Sequence, residues 1–318
     1  MKLHDLIYTQ LLRFTSITEI CLVGTVISPY TYSVLGEIPT LRSVHLANCS
    51  FINLHVSFGT RAASQFLFTP STHLPQLAQE SPLCPLETIS LVPIKHLSLH
   101  RVNVPSEYEN YRYHPLCLLT ISTLTSLSIT WNANIAARYA QNRWALPSLT
   151  ELSVVMPLMS RDLLDELATF VHRCELSPRF KLRIDKHNLS DTQMATLQVP
   201  SIGLWNYEGP LVIVAGSATK SLRPTLTHVK INETLELPPL LDGLEKLPMV
   251  MEELDVQVGK WDIELLFAIK ELFKGIKKLK VRYVRGGLPE VRLKKNLFMN
   301  TDCSNSSIVV EPFGTPRS

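Results

Sequence analysis

The sequence predicts an α/β repeat array: a curved parallel sheet with helices and turns on its convex side. Three observations point there. An apolar-x-x-apolar-x-apolar pattern recurs along the chain, its copies start about every 25 residues, and between copies the hydrophobic period moves from 2 to about 3.6, as a strand followed by a helix requires. Size agrees with this reading. The chain has 318 residues, 45% of them apolar and 19% charged, which is a folded composition. A single core of that length would ordinarily split into domains, but in an array each unit packs only on its neighbours.

The clearest copy is Leu41-Arg-Ser-Val44-His-Leu46-Ala-Asn-Cys49-Ser-Phe51, and the next is Leu124-Thr-Ser-Leu127-Ser-Ile129-Thr-Trp-Asn132. Looser copies are Ile17/Ile20/Leu22, Ile94/Leu97/Leu99, Leu149/Leu152/Val154, Leu182/Ile184, Ile202/Trp205, Leu226/Val229/Ile231, Met251/Leu254/Val256 and Ile276/Leu279/Val281. The frames start at 17, 41, 94, 124, 149, 179, 202, 226, 251 and 276, so the gaps run from 23 to 30 residues apart from one of 53. That double gap predicts an irregular unit over 52–93, where Pro70, Pro75, Pro82, Pro85 and Pro93 break regular backbone. An alternative frame, Leu86/Ile89/Leu91, leaves the register there open.

Helices are expected between the strands. Ser160 can cap one bearing Leu163, Leu164, Leu167, Phe170 and Val171, and Asp162 sits near its positive end. Asp262 can cap another bearing Leu265, Leu266, Ile269, Leu272 and Phe273, stopped by Gly275. Leu3, Ile7, Leu11 and Phe14 predict a capping helix over residues 1–16, and the array occupies 17–295. Residues 296–318 read as a tail, apart from the short apolar run Ile308-Val309-Val310.

From about Ile17 to Val284 these copies resemble the leucine-rich-repeat superfamily, with Cys49 and Asn132 at the position where that repeat carries Asn or Cys. The other copies hold Thr25, Val102, Pro157, His187, Pro210, Thr234, Gly259 and Val284 there. The longer, helix-bearing units are similar to ribonuclease-inhibitor-type and cysteine-containing repeats, the kind that follow an F-box in ubiquitin-ligase substrate receptors. The resemblance implies a non-enzymatic protein-interaction scaffold of the substrate-recognition type, with a ligase adaptor as a further partner. The F-box itself needs a three-helix segment, which the sixteen residues before Ile17 cannot supply.

Side chains alternate along a strand, so residues flanking the second and third apolar positions should face the concave side. The candidate partner-binding residues are His45, His96, His100, Glu151, Lys181, Arg183, Asp185, Lys230, Glu253, Asp255, Lys278, Lys280 and Arg282. The outward triplet of the Ile202/Trp205 copy is expected to be Leu204, Asn206 and Glu208. Small polar residues dominate the first half of this face, and bands of opposite charge alternate along the second. Such banding suits specificity for a protein surface; equally, adjacent strands pair opposite charges for stability. Ten strands spaced ~4.8 Å apart make a strip on the order of 45 Å long, ample for a protein interface.

The alternative is a binder of nucleic acid or acidic protein. Lys270, Lys274, Lys277, Lys278, Lys280, Arg282, Arg285, Arg292, Lys294 and Lys295 are opposed only by Glu271 and Glu290. A net charge of only +3 and the polar outer face required of a terminal repeat argue against nucleic acid.

Signatures of catalysis are absent from the sequence. Leu211-Val-Ile-Val-Ala-Gly216-Ser-Ala-Thr-Lys220-Ser221 superficially suggests a strand entering a phosphate loop, but Thr219 stands where a glycine is needed before the lysine, and the first glycine is missing. There is no Gly-x-Ser-x-Gly elbow, no His-Glu-x-x-His and no dinucleotide fingerprint. Cys21, Cys49, Cys84, Cys117, Cys174 and Cys303 stand singly, as reduced thiols do. His45, His96 and His100 could share a face, but the frame brings no carboxylate or thiol to complete a metal site. No cofactor and no metal are therefore expected.

Asp5 and Tyr8-Thr9-Gln10 interrupt any signal-peptide core. The stretch Tyr113–Ala137 has no Lys, Arg, Asp or Glu, yet it is studded with Ser, Thr and Asn and does not read as a membrane span. The Asn-x-Ser/Thr motifs at Asn48, Asn188, Asn232 and Asn305 read as chance. A cytoplasmic or nuclear protein is expected.

Overall fold

In a computed structural model the chain is an α/β protein whose main strands pair in parallel and alternate in sequence with helices. The structure describes residues 10–11, 13–27, 29–51, 93–102, 115–142, 146–174, 176, 178–194, 196–197, 199–200, 203–221, 225–285 and 307–312. Most of the expected N-terminal helix, residues 52–92, the frame Leu86/Ile89/Leu91 and Arg292, Lys294 and Lys295 lie outside them. The chain divides into two compact units, one of Met1–Thr130 with Asn142–Thr150 and one of Trp131–Gln141 with Glu151–Ser318.

In the first unit β1 (Glu19–Val23), β3 (Ser43–Ala47), β5 (His96–His100) and β6 (Ser126–Thr130) lie side by side in that order, all parallel. β2 (Val26–Ile27) and β4 (Ser50–Phe51) form a small parallel pair beside them. Helix α1 (Pro29–Gly36) and a 3-10 turn at Pro115–Thr120 carry the chain between strands. Alternation buries Val44, Leu46, Leu97, Leu99, Leu127 and Ile129, each at most 2% exposed, with Ser98 and Thr130 buried beside them.

The repeat is visible in the backbone of this unit. Where each strand begins, two successive N–H groups share one carbonyl of the preceding strand: Arg42 and Ser43 on Thr18, Lys95 and His96 on Arg42, Thr125 and Ser126 on Lys95. Where β1, β3 and β5 end, the next residue turns left-handed, with φ 62° at Gly24, 52° at Asn48 and 48° at Arg101. The turn aims that residue's N–H at the following strand. Gly24 and Asn48 donate to the carbonyls of Ala47 and His100 at 2.9 Å, and Arg101 donates to Thr130 Oγ1 at 3.2 Å. Glycine and asparagine tolerate this region; an arginine does so at a cost of about 1 kcal/mol.

In the second unit β7 (Glu151–Met156), β8 (Arg179–Ile184), β9 (Leu204–Gly209), β10 (His228–Leu235), β11 (Glu253–Lys260), β12 (Lys278–Arg285) and β13 (Ser307–Pro312) pair in parallel in that order. α2 (Ala133–Asn142, all but its last residue in this unit) precedes β7, and between the strands run α3 (Arg161–His172), α4 (Asp191–Met194), α5 (Leu211–Ser221), α6 (Leu237–Leu244) and α7 (Ile263–Leu272). The expected caps are in place. Ser160 accepts from the Leu163 N–H at 3.4 Å, and Asp262 accepts from the Glu264 N–H at 2.9 Å. α3 buries Leu164, Leu167, Phe170 and Val171, where Phe170 stacks on Trp131 at 5.4 Å and takes the edge of Tyr139 at 5.1 Å.

The two residues at the Asn/Cys position each perform local work. Cys49 is buried and its thiol donates to the Leu22 carbonyl at 3.2 Å, while burial pushes that thiol's pKa up. Asn132 accepts the Ile135 N–H at 3.0 Å and so caps α2.

The run from Leu211, already discounted in the sequence as a phosphate loop, is helix α5, with Ile213 and Val214 fully buried and its first N–H bonded to Glu233 Oε1 at 2.8 Å. Two segments differ from their reading in sequence. The apolar run at Ile308–Val310 becomes the middle of β13, in register with Leu279, Lys280 and Val281 of β12. In β9 only the start departs from expectation: Leu204 is buried and Trp205 is not, while Asn206 and Glu208 lie outside the core as expected, on either side of buried Tyr207.

Candidate functional site

In the second unit, the side chains between the buried positions of each strand form rows across the sheet. One row runs Ser153, Lys181, Asn206, His228, Glu253, Lys278, Ser307, and the next runs Val155, Arg183, Glu208, Lys230, Asp255, Lys280, Val309. Twelve of the fourteen come from the outward positions expected from the sequence.

The charge bands are largely neutralised within the sheet. Lys230 reaches Glu208 at 2.6 Å, Lys278 reaches Glu253 at 2.5 Å, Lys280 reaches Glu311 at 2.6 Å and Arg282 reaches Asp255 at 2.8 Å. Arg183 lies 2.7 Å from Asp185, which sits just past the end of β8, and 3.8 Å from Glu208. The hydrogen bond that Arg183 donates to Asp185 raises the Arg183 pKa further. Lys277 holds Glu252 at 2.9 Å and lowers that carboxyl's pKa. Four members of the C-terminal basic cluster, Lys277, Lys278, Lys280 and Arg282, are therefore paired with carboxylates.

Two cations of β8 are not. Among the described residues Lys181 and Arg179 have no ion pair, and Glu151, the register partner of Arg179 on β7, remains outside ion-pair range. Arg179 instead lies over the indole of Trp205, its Cζ 3.8 Å from the ring centroid. A bulge creates this contact. Phe180 pairs with Leu204 and Lys181 with Asn206, so Trp205 is the extra residue of β9 and emerges beside Arg179. The His228 ring meets the indole edge-on at 4.9 Å, accepts or donates at Thr227 Oγ1 over 2.8 Å, and lies 3.5 Å from Glu253. A depression of about 470 Å³ opens over Arg179, Trp205 and His228, and another of about 390 Å³ lies over Lys181, Glu208, Lys230 and Asp255.

Arg179 and Trp205 were missed as site residues because the frame placed Trp205 inside. The signal that finds them is the competing spacing Leu204/Tyr207, which puts an aromatic ring and an asparagine on the same side.

The first unit gathers the three histidines on neighbouring strands. His96 is opposite Ser43, His45 opposite Ser98 and His100 opposite Ala47. His45 lies 3.4 Å from Glu19, and His100 bonds Ser128 at 2.9 Å and Thr130 at 3.1 Å. Burial, with smaller contributions from His45 and Arg101, lowers the His100 pKa. Among the described residues no three His, Cys, Asp or Glu side chains converge as metal ligands. No helix among them is long and apolar enough to cross a membrane. Compared with protein-family models and with curated proteins, the chain matches none.

Proposed function

We propose that the chain is a protein-interaction scaffold without chemistry of its own, which engages its partner on the strand face of the second unit with Trp205 as the anchor. One observation carries this: a bulge turns a tryptophan out of the core of β9 and sets it between Arg179 and His228. A half-buried aromatic held between polar groups is the composition of an interface hot spot, where Trp, Tyr and Arg predominate. The pairing of Lys278, Lys280 and Arg282 with carboxylates supports a protein partner over a polyanion, which needs unopposed positive charge.

The shared-carbonyl bonds at strand starts support a leucine-rich-repeat-like solenoid, since a duplicated unit repeats its backbone bonds as well as its apolar spacing. By that resemblance the scaffold is a substrate-recognition module of the F-box type, working in the cytoplasm or nucleus.

The test is site-specific photo-crosslinking in cells, with the crosslinker at Asn206 on the strand face or at Glu271 on the exposed side of α7. The proposal expects a discrete adduct from Asn206 only, lost in Trp205→Ala. Ligase adaptor subunits among the proteins recovered would support the receptor assignment, and their consistent absence would reduce it to a generic scaffold. Equal labelling from Glu271, or adducts indifferent to Trp205→Ala, would sink the proposal.

A further inference from the structure

We infer that Arg179 and Lys181, backed by Trp205, form a receptor for two carboxylates on an acidic segment of the protein partner; this deepens the strand-face reading and rests on it. Stacking occupies the flat face of the Arg179 guanidinium and leaves its in-plane N–H donors unused. Among the described residues no hydrogen bond or ion pair engages those donors, although the indole already fixes the group in one orientation. A guanidinium held that way is prepared for a bidentate carboxylate, with its ordering cost met in advance.

Lys181 lies two residues further along the same face of β8, roughly 6.6 Å away along the strand. Its lateral neighbours, Ser153 and Asn206, are polar but uncharged. The carboxylates on the β9 to β11 side of the cluster are already held, Glu252 by Lys277, Glu253 by Lys278 and His228, Glu208 by Lys230 and Arg183, while Glu151, beside Arg179 on β7, is exposed and outside ion-pair range, one carboxylate against two cations. The two cations thus form the one place on this face, among the described residues, where positive charge is left for an outside anion. Their separation matches that of alternate residues in an extended chain, so the fitting ligand carries Asp or Glu at positions i and i+2.

The experiment selects random twelve-residue displayed peptides on the full chain and measures the best as synthetic peptides. Enrichment of paired acidic residues is expected. Arg179→Gln and Lys181→Gln should each weaken binding about tenfold, Arg179→Lys should recover only part of it because an ammonium lacks the fork, and Lys246→Gln, at an exposed position just past α6, should change Kd by less than about twofold. Thermal unfolding of each variant verifies its fold, and Arg179→Lys keeps the comparison valid if a glutamine variant is unstable. Selected peptides without an acidic pair, or with an unchanged Kd for the double Gln variant, overturn the carboxylate receptor but leave the interaction surface standing. Peptides indifferent to Trp205→Ala, or no enrichment at all, overturn both. A twelve-nucleotide RNA or a phosphopeptide binding as tightly as the acidic peptide overturns the carboxylate assignment in favour of phosphate.

Discussion

On the strand face of the first unit the outward positions hold one charged residue, Glu19, beside Cys21, Val23, Ser43, His45, Ala47, His96, Ser98, His100, Ser126, Ser128 and Thr130; on that of the second Lys, Arg, Glu and Asp predominate beside Ser153, Val155, Asn206, His228, Ser307 and Val309. Both faces stand on the same backbone of parallel strands with alternate residues buried. In the first, hydroxyls and imidazoles satisfy one another, as His100 does with Ser128 and Thr130. In the second, carboxylates and cations do so across neighbouring strands. The lesson is that outward charge in a parallel sheet need not be an outward field. What distinguishes a surface for a partner is the group left over, here Arg179, Lys181 and Trp205.

Removing one member of the least exposed ion pair should break the second face most. Asp255 and Arg282 are 21% and 18% exposed, and Asp255→Ala strands a half-buried guanidinium, so a loss of about 1–2 kcal/mol is expected in chemical denaturation. Ser128→Ala in the first unit removes a neutral partner and should cost about 0.5–1 kcal/mol. Equal losses would erase the distinction between the faces. Next in size, Arg101→Gly relieves the left-handed residue after β5 and should stabilise the first unit by up to about 1 kcal/mol, read as a raised midpoint; the gain is reduced because glycine loosens the unfolded chain.

Acidification should separate the units next. Burial holds the His100 pKa below its ordinary 6.5, so the unfolded chain binds the proton more readily. The contribution is complete above about pH 6.5 and is lost as pH falls below it, which hydrogen exchange at β5 and β6 can follow. His100→Gln should flatten that dependence. The smallest effect is that of salt. Raising it from 0.05 to 0.5 M, roughly, should weaken the exposed pairs of the second unit, such as Lys277–Glu252, by a few tenths of a kcal/mol each, and leave the first unit's hydroxyl–imidazole face unmoved.

Much of the fold is legible in the sequence because burial in a parallel strand has period 2 and leaves a direct trace: Val44/Leu46, Leu152/Val154 and Leu279/Val281 are all buried where the spacing puts them. Caps are legible for the same reason, as Ser160 and Asp262 act within a turn of their own position. β13 escaped because its three apolar residues gain meaning only beside β12. The site was half legible. Lys181 and the ion-paired rows follow from alternation, but charge neutralisation depends on which strands are neighbours, and Trp205 depends on a bulge that no periodic frame contains.

That bulge also bears on how such a chain can change. In a strictly paired strand, inserting one residue inverts every side chain beyond it, sending the core outward and the surface inward. In β9 the extra residue is absorbed between the partners of Phe180 and Lys181, and Tyr207 regains its buried place opposite Leu182. An alteration in length that would ruin most strands is here confined to one position. What it yields is a single additional side chain on the working face, so a repeat can acquire a new contact residue without rewriting its core.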